Sequence, residues 1–268
     1  MLNQTTTNTN ELHDEKYPYE IIELPSGGVF YSKDNSLSSG LIKLKLPTAK
    51  HEDILTSKNL ITKGIVIDEL LKSLILDKIN YDDLLLGDIN GLIISTRILL
   101  YGSDYNTQIH CPSCDKLNQI KINLSSLKVK EFPSIDENLK GINEHDFVLP
   151  FSKIPIKFKF LTHKDEQEIN LYLKKMKKHI GGIDPEITTR LGFAIIEING
   201  ETDKTKIQHY VSDQMTTKDT KAFREHLNAV SPGVDTEILF ECDSCGHEDT
   251  LTMPMNVDFF WPSGKLQK

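Results

Sequence analysis

Asn106-Thr-Gln-Ile-His-Cys111-Pro-Ser-Cys114 and Glu237-Ile-Leu-Phe-Glu-Cys242-Asp-Ser-Cys245 are two renderings of one pattern, and together they hold every cysteine of the chain. In each, an extended approach runs into a pair of thiols two residues apart, with an apolar side chain, Ile109 or Phe240, just upstream. The likeness continues beyond the pairs. Ile120, Ile122 and Leu124 follow Cys114 at the same offsets at which Leu251, Met253 and Met255 follow Cys245. A period of two places each trio on one face of a strand, so each pair interrupts a β-hairpin. Gly246 supplies the turn residue after the second pair; Asp115 stands there in the first, less free than glycine but tolerant of turns.

Two cysteines at this spacing can close on a metal from a tight knuckle, and two knuckles complete a tetrahedral thiolate shell with no position left for a substrate. The sequence therefore predicts one structural zinc ion held by Cys111, Cys114, Cys242 and Cys245. Residues 115–241 lie between the pairs, against roughly fifteen to twenty residues in compact zinc motifs. Loop-closure entropy grows only logarithmically, so a clip at this distance couples the middle of the chain to its end. The predicted fold class is α+β: a split four-cysteine zinc ribbon of two β-hairpin knuckles, with a helical core and a long α/β insertion. A redox role for the pairs is disfavoured because neither precedes a βαβ helix. His110 and His247 adjoin the pairs, but four thiolates already saturate zinc, which leaves them roles at the surface or around the ligands.

At 268 residues, with 38% hydrophobic and 26% charged residues, the composition is that of a soluble globular protein with a sizeable core. A net charge of −8 and a pI near 5.6 argue against strong nucleic-acid binding. No apolar run reaches a membrane span, and Met1-Leu-Asn-Gln-Thr-Thr-Thr7 lacks the charged start and apolar core of a signal peptide, so a cytoplasmic protein is expected. Four cysteines in a reducing compartment again favour metal over disulfides.

The chain divides into a polar, flexible arm at 1–19 and a β-rich module at 20–48. Helices and the first knuckle occupy 49–124, an inserted α/β region 125–235, and the second knuckle with a C-terminal segment 236–268. Segments 19–31 and 38–46 read as extended around a loop at Asp34-Asn-Ser36. Ile67, Leu70, Leu71, Leu74 and Ile75 form one helical stripe. Asp88 is placed as the cap of a nearly all-apolar helix from Ile89 to Tyr101 that stops at Gly102. Within the insertion, Ile154–Leu161 reads as a strand. Thr162 and Asp165 open a helix with Ile169, Tyr172, Leu173 and Met176 inward, ended by Gly181-Gly182. Asp184-Pro185 starts the next in Ncap and N1 positions, and Ile195–Gly200 is either its tail or the first arm of a hairpin. A further helix from Thr217 turns Phe223, Leu227 and Val230 inward, and Ser231-Pro-Gly233 breaks the chain.

Lys174-Lys-Met-Lys-Lys178 reads as a solvated helix end complementing the dipole, with a nucleic-acid contact the weaker reading. Asp82-Asp83 and Asp165-Glu166 read as capping and surface carboxylates; no nucleophile accompanies them, and no phosphate-binding glycine loop, G-x-S-x-G elbow or H-E-x-x-H helix occurs. Phe259-Phe-Trp261 is either a partner anchor or packing against the zinc hairpin.

The ordered segments Leu24-Pro-Ser-Gly-Gly-Val-Phe-Tyr31, Leu46-Pro-Thr-Ala-Lys-His-Glu-Asp-Ile-Leu55, Leu70-Leu-Lys-Ser-Leu-Ile-Leu-Asp77 and Cys111-Pro-Ser-Cys114 resemble the baseplate hub proteins of T-even-type contractile-tailed phages. The resemblance runs from about residue 20 to the second knuckle. It implies a hub component or hub-assembly factor without enzymatic activity, working with other baseplate hub proteins. It further implies assembly in the cytoplasm of the infected bacterium and a place in the virion tail baseplate. Family members differ in whether both cysteine pairs are intact, so the zinc expectation rests on this sequence alone. A zinc-ribbon module bound to nucleic acid or to transcription is the runner-up, opposed by the acidic charge; a thiol oxidoreductase is the third reading.

Overall fold

Strands β1 (Tyr19–Glu23) and β2 (Leu41–Lys45) pair antiparallel with Ile22 opposite Ile42, and alternation buries Ile22, Ile42 and Leu44 while Ile21 and Leu41 face outward. The computed structural model describes residues 17–131, 140–176, 185–255 and 259–260, a mixed α/β arrangement with small antiparallel sheets. Tyr19 already belongs to β1, and Pro18 C=O accepts from Leu46 N–H, so ordered structure begins within the stretch expected to be an arm; residues 1–16 lie outside the described residues.

The extended reading of 19–31 fails after Leu24. Leu24 N–H donates to Gly40 C=O and closes the hairpin, and residues 25–31 then coil into successive turns. Gly28, at φ +79, is required there: an added Cβ would lie 2.5 Å from Gly40 N and 2.6 Å from Ser38 O.

Helices α1 (Ala49–Thr56), α2 (Lys58–Lys63) and α3 (Val66–Leu74) follow. The predicted stripe on α3 holds: Leu70, Leu71 and Leu74 are fully buried and Ile67 and Ile75 pack partly against the core. Helix α4 (Leu86–Tyr101) ends at Gly102 as expected, but it starts three residues before the expected Ile89. Asp88 is therefore no cap. Its carboxylate is fully buried inside the first turn, where it accepts from Ser26 N–H (2.8 Å), Ser26 Oγ (2.8 Å) and Tyr31 Oη (2.5 Å). Tyr31 Oη accepts in turn from Leu85 N–H at 2.9 Å, and Pro25 packs so close to Gly91 that a Cβ there would meet its ring at 2.5 Å. The Leu24–Tyr31 segment is thus a plug seated on the start of α4. Burial pushes the Asp88 carboxyl up from its usual range, the three donors offsetting part of that penalty.

After the first cysteine hairpin come β5 (His145–Val148) and β6 (Pro155–Phe158), then α5 (His163–Met176), opened by the expected Thr162–Asp165 reciprocal bonds. Gly181-Gly182 and Asp184 lie outside the described residues, as do Lys177 and Lys178. Helix α6 (Glu186–Ala194) has Pro185 as its cap rather than its first helical residue. Ile195–Ile198 is a strand, β7, which joins β6 as the third member of a sheet ordered β5-β6-β7. Helix α7 (Lys204–Asp213) was not foreseen: only Ile207 and Val211 of its residues are buried, too sparse an apolar pattern to stand out. Helix α8 (Thr217–Val230) behaves as predicted, with Phe223 fully buried against Phe147 and Phe158. Asp219, in its first turn, holds the β5–β6 turn by accepting from Phe151 N–H (2.8 Å) and Ser152 N–H (3.2 Å). One apolar core runs through Leu37, Leu70, Leu92, Phe158 and Phe223.

The expected carboxylate pairs are structural. Asp82 and Asp68 bracket the buried His163 ring at 3.0 and 3.2 Å, Asp165 binds Lys159 at 2.7 Å, and Glu166 binds Arg190 at 2.7 Å.

Candidate metal centre

Both cysteine segments form the hairpins expected of them. Strands β3 (Asp104–His110) and β4 (Leu117–Asn123) pair in continuous register, as do β8 (Glu237–Glu241) and β9 (Glu248–Thr252). The two turns are superposable in their bonding. Cys111 N–H donates to Lys116 C=O and Asp115 N–H to Cys111 C=O; Cys242 N–H donates to His247 C=O and Gly246 N–H to Cys242 C=O, each at 2.9 Å. The fourth residue after the turn's start is left-handed in both, Asp115 at φ +58 and Gly246 at φ +66. Glycine adopts this without cost; aspartate is among the few residues that visit it singly.

The structure brings all four predicted ligands together. Cys111 Sγ lies 3.7 Å from Cys245 Sγ, Cys114 Sγ lies 3.7 Å from Cys242 Sγ, and all four sulfurs fall within 4.8 Å of one another. No pair is a disulfide. Four sulfurs at about 2.3 Å from a central tetrahedral ion stand about 3.8 Å apart, so the present spacing fits a zinc-sized ion with little adjustment. Cys111 and Cys242 are buried, Cys114 half-buried and Cys245 exposed, with Phe240, Ile109, Ile120 and Leu251 packed around them as a satellite apolar cluster.

Two of the sulfurs move in opposite directions in acidity. Burial opposes ionisation of Cys242, but the Ser244 and Cys245 amides, helped by the Cys245 and Cys111 thiols, draw it down to about 6. At Cys245 the His247 amide favours the thiolate, yet Cys114, burial, Cys242 and Cys111 together push it up to about 12. The opposite shifts of Cys242 and Cys245 follow because two sulfurs so close cannot both carry charge without a compensating cation.

His110 and His247 stay out of the cluster. His110 Nδ1 sits 3.1 Å from Asp115 C=O, and His247 Nε2 lies 3.8 Å from Asp249, on exposed or half-exposed side chains.

Asn118 escaped sequence reasoning. Its buried amide donates to Lys116 C=O at 2.8 Å and accepts from Asp243 N–H at 3.0 Å, so it fastens one knuckle to the other. A lone asparagine in an alternating strand gives no signal of this. At the opposite end the hairpins are joined by Val129 bridging Val234, with Lys130 N–H donating to Gly233 C=O and Asp235 N–H to Lys128 C=O, both at 2.8 Å.

Of the two readings of Phe259-Phe-Trp261, packing holds for the described part. Phe259 and Phe260 are buried, and Phe259 meets Tyr105 of β3 edge-on at 5.1 Å; Trp261 lies outside the described residues. Arg97, also buried, donates to the carbonyls of Phe259 (2.6 Å), Gly102 (3.0 Å) and Asp104 (3.3 Å).

A family model described as T4 bacteriophage base plate protein matches residues 18–261. No curated protein and no solved structure matches the chain. No helix among the described residues is long and apolar enough to cross a membrane.

Proposed function

From the premise that this chain belongs to the T4 bacteriophage base plate protein family, we propose that it is a component or assembly factor of the tail baseplate hub. It acts by contact with other hub proteins and carries one structural zinc ion. The family match over 18–261 supports the baseplate role, and the four clustered sulfurs support the metal. Cys111, Cys114, Cys242 and Cys245 would hold the zinc, which would neutralise their thiolates and lock the two hairpin tips. A full thiolate shell leaves no position for substrate, which supports a binding protein rather than an enzyme. The hairpins, presented with little conformational freedom, lower the entropic cost of association. Assembly takes place in the cytoplasm of the infected bacterium; as a component the protein ends in the tail baseplate of the virion, and as an assembly factor it is left behind.

Native mass spectrometry and co-purification test this reading. The purified protein should carry one zinc, lost on chelation or in Cys114→Ser, and co-expression with the other hub proteins of its phage should give a complex that survives moderate salt. A metal-free protein with unchanged stability in chelator refutes the zinc site. Tight, sequence-selective DNA or RNA binding without any hub partner refutes the baseplate role.

A further inference from the structure

Between α4, α6 and α8 lies a groove of about 450 Å³. Its floor is apolar, built from Leu85, Phe160, Leu191 and Leu227, and the side chain of Ile187 stands at its rim nearly half exposed. Three cations border it. Lys159 is spent on Asp165, and Arg190 on Glu166 and Glu186. Arg224, exposed on α8, has no ion-pair partner among the described residues. On a chain of net charge −8, an apolar trough whose lining carries three cations against the single carboxylate of Glu186, with one guanidinium uncommitted, is a local reversal of the molecule's charge.

We propose that this groove docks an amphipathic acidic segment of another baseplate protein, its aliphatic side chains on the Leu85, Phe160, Leu191 and Leu227 floor and a carboxylate on Arg224. The inference rests on the baseplate reading and adds the partner's chemistry. Volume and charge together choose the occupant. The trough has room for several aliphatic side chains, the number an amphipathic helix presents along one face, and the arginine fork pairs best with a planar carboxylate. A second copy of this chain fits less well. Among the described residues its exposed large apolar side chains, such as Leu239 on β8, Leu171 on α5 and Phe151 after β5, are spread over different elements rather than along one helix face.

The test places a photo-crosslinking amino acid at position 187 of the full chain, expressed during infection, with the same probe at position 239 as a surface control. Sedimentation of lysates first asks whether the chain travels with baseplate complexes. If it never does, the baseplate reading falls and the groove proposal with it. If it does, the position 187 probe should join to a peptide of a different baseplate protein, rich in aliphatic and acidic residues. Arg224→Glu should cut that product about tenfold or more, and exchanging the partner's acidic residue for lysine should restore it. A product with a second copy of this chain, with nucleic acid or lipid, or no product while the chain sits in complexes, overturns the groove proposal and leaves the baseplate role intact. A yield unchanged by Arg224→Glu overturns it too.

Discussion

Replacing Asp88 with alanine removes the acceptor on which the Leu24–Tyr31 plug is seated. Three buried donors lose their partner at once: Ser26 N–H, Ser26 Oγ and Tyr31 Oη. The two hydroxyls keep the bonds they accept, from Gly28 N–H at 3.1 Å and Leu85 N–H at 2.9 Å, so their loss is partial. The Ser26 amide has no such fallback. At about 1 to 3 kcal/mol per unsatisfied buried polar group, the amide contributes near the top of that range and each hydroxyl near the bottom, about 5 kcal/mol in all. Asp88→Asn keeps an oxygen for the Ser26 amide and meets two hydroxyls able to rotate and accept from its NH₂, so it should cost about half as much. Urea denaturation in the presence of zinc gives both numbers. Burial raises the Asp88 carboxyl in the folded protein, so this site binds its proton more tightly folded than unfolded. Its contribution is then complete below the unfolded value of about 3.9 and is lost as pH rises through the folded one. The gap between the wild type and Asp88→Asn should accordingly widen as pH falls from 7 towards 4. An alanine variant within 1 kcal/mol of wild type, or an asparagine variant as damaged as alanine, would show that the plug is held by packing and not by this carboxylate.

Three further substitutions follow from the same structure. Gly28→Ala forces a Cβ into the backbone of Ser38 and Gly40 at a left-handed position, and should cost about 2 kcal/mol or more by thermal or urea unfolding. Asp219→Ala should cost about 2 kcal/mol by removing the acceptor of the Thr216 hydroxyl and of the Phe151 and Ser152 amides, while the Thr216 cap on the position 219 amide remains. Burial works against the Asp219 carboxylate, but those donors outweigh it and lower its pKa, so its contribution is present above about pH 4 and disappears as pH falls through the folded value; an unchanged acid limb in the alanine variant would refute this. Chelation, or Cys114→Ser, should strip amide-exchange protection from β3–β4 and β8–β9 while leaving that of α8 in place; uniform loss of protection across the chain would contradict the arrangement of contacts described below.

The cysteine hairpins were legible in the sequence because their information is local and repeated: strand alternation, a two-residue thiol spacing and a turn residue that tolerates positive φ. Helices α3, α5 and α8 were legible for the same reason, each carrying its stripe and the latter two their caps within a few residues. What the sequence hid was chiefly long-range. Asp88 looks like a cap because aspartate beside an apolar run usually is one, yet its partners stand 57 and 62 residues away. Residues 25–31 read as extended although Gly27 and Gly28 take positive φ in successive turns, and nothing in Leu24–Tyr31 says that the segment is a plug or which helix it seats on. Asn118 and Arg97 are likewise ordinary until Asp243 and Phe259 arrive from 125 and 162 residues away.

The distance between the cysteine pairs suggested that a metal clip couples the middle of the chain to its end, and the contacts share that task. Val129 and Val234 join the hairpins at their base, Tyr105 Oη donates to Pro254 C=O at 2.8 Å, and Arg97 grips the Phe259 carbonyl. Each of these closes nearly the same long loop as the sulfurs do. Loop-closure entropy is paid once, so once the base is shut the four thiols constrain only the short arms beyond it. What is left for metal to hold is the tips, where Cys114 and Cys245 are the less buried members and the apolar cluster is small. A metal held here would therefore govern the rigidity of the two hairpin tips more than the survival of the core. Under the proposed role in contacting other baseplate proteins, that would place the metal's influence on the part of the molecule with the least packing of its own.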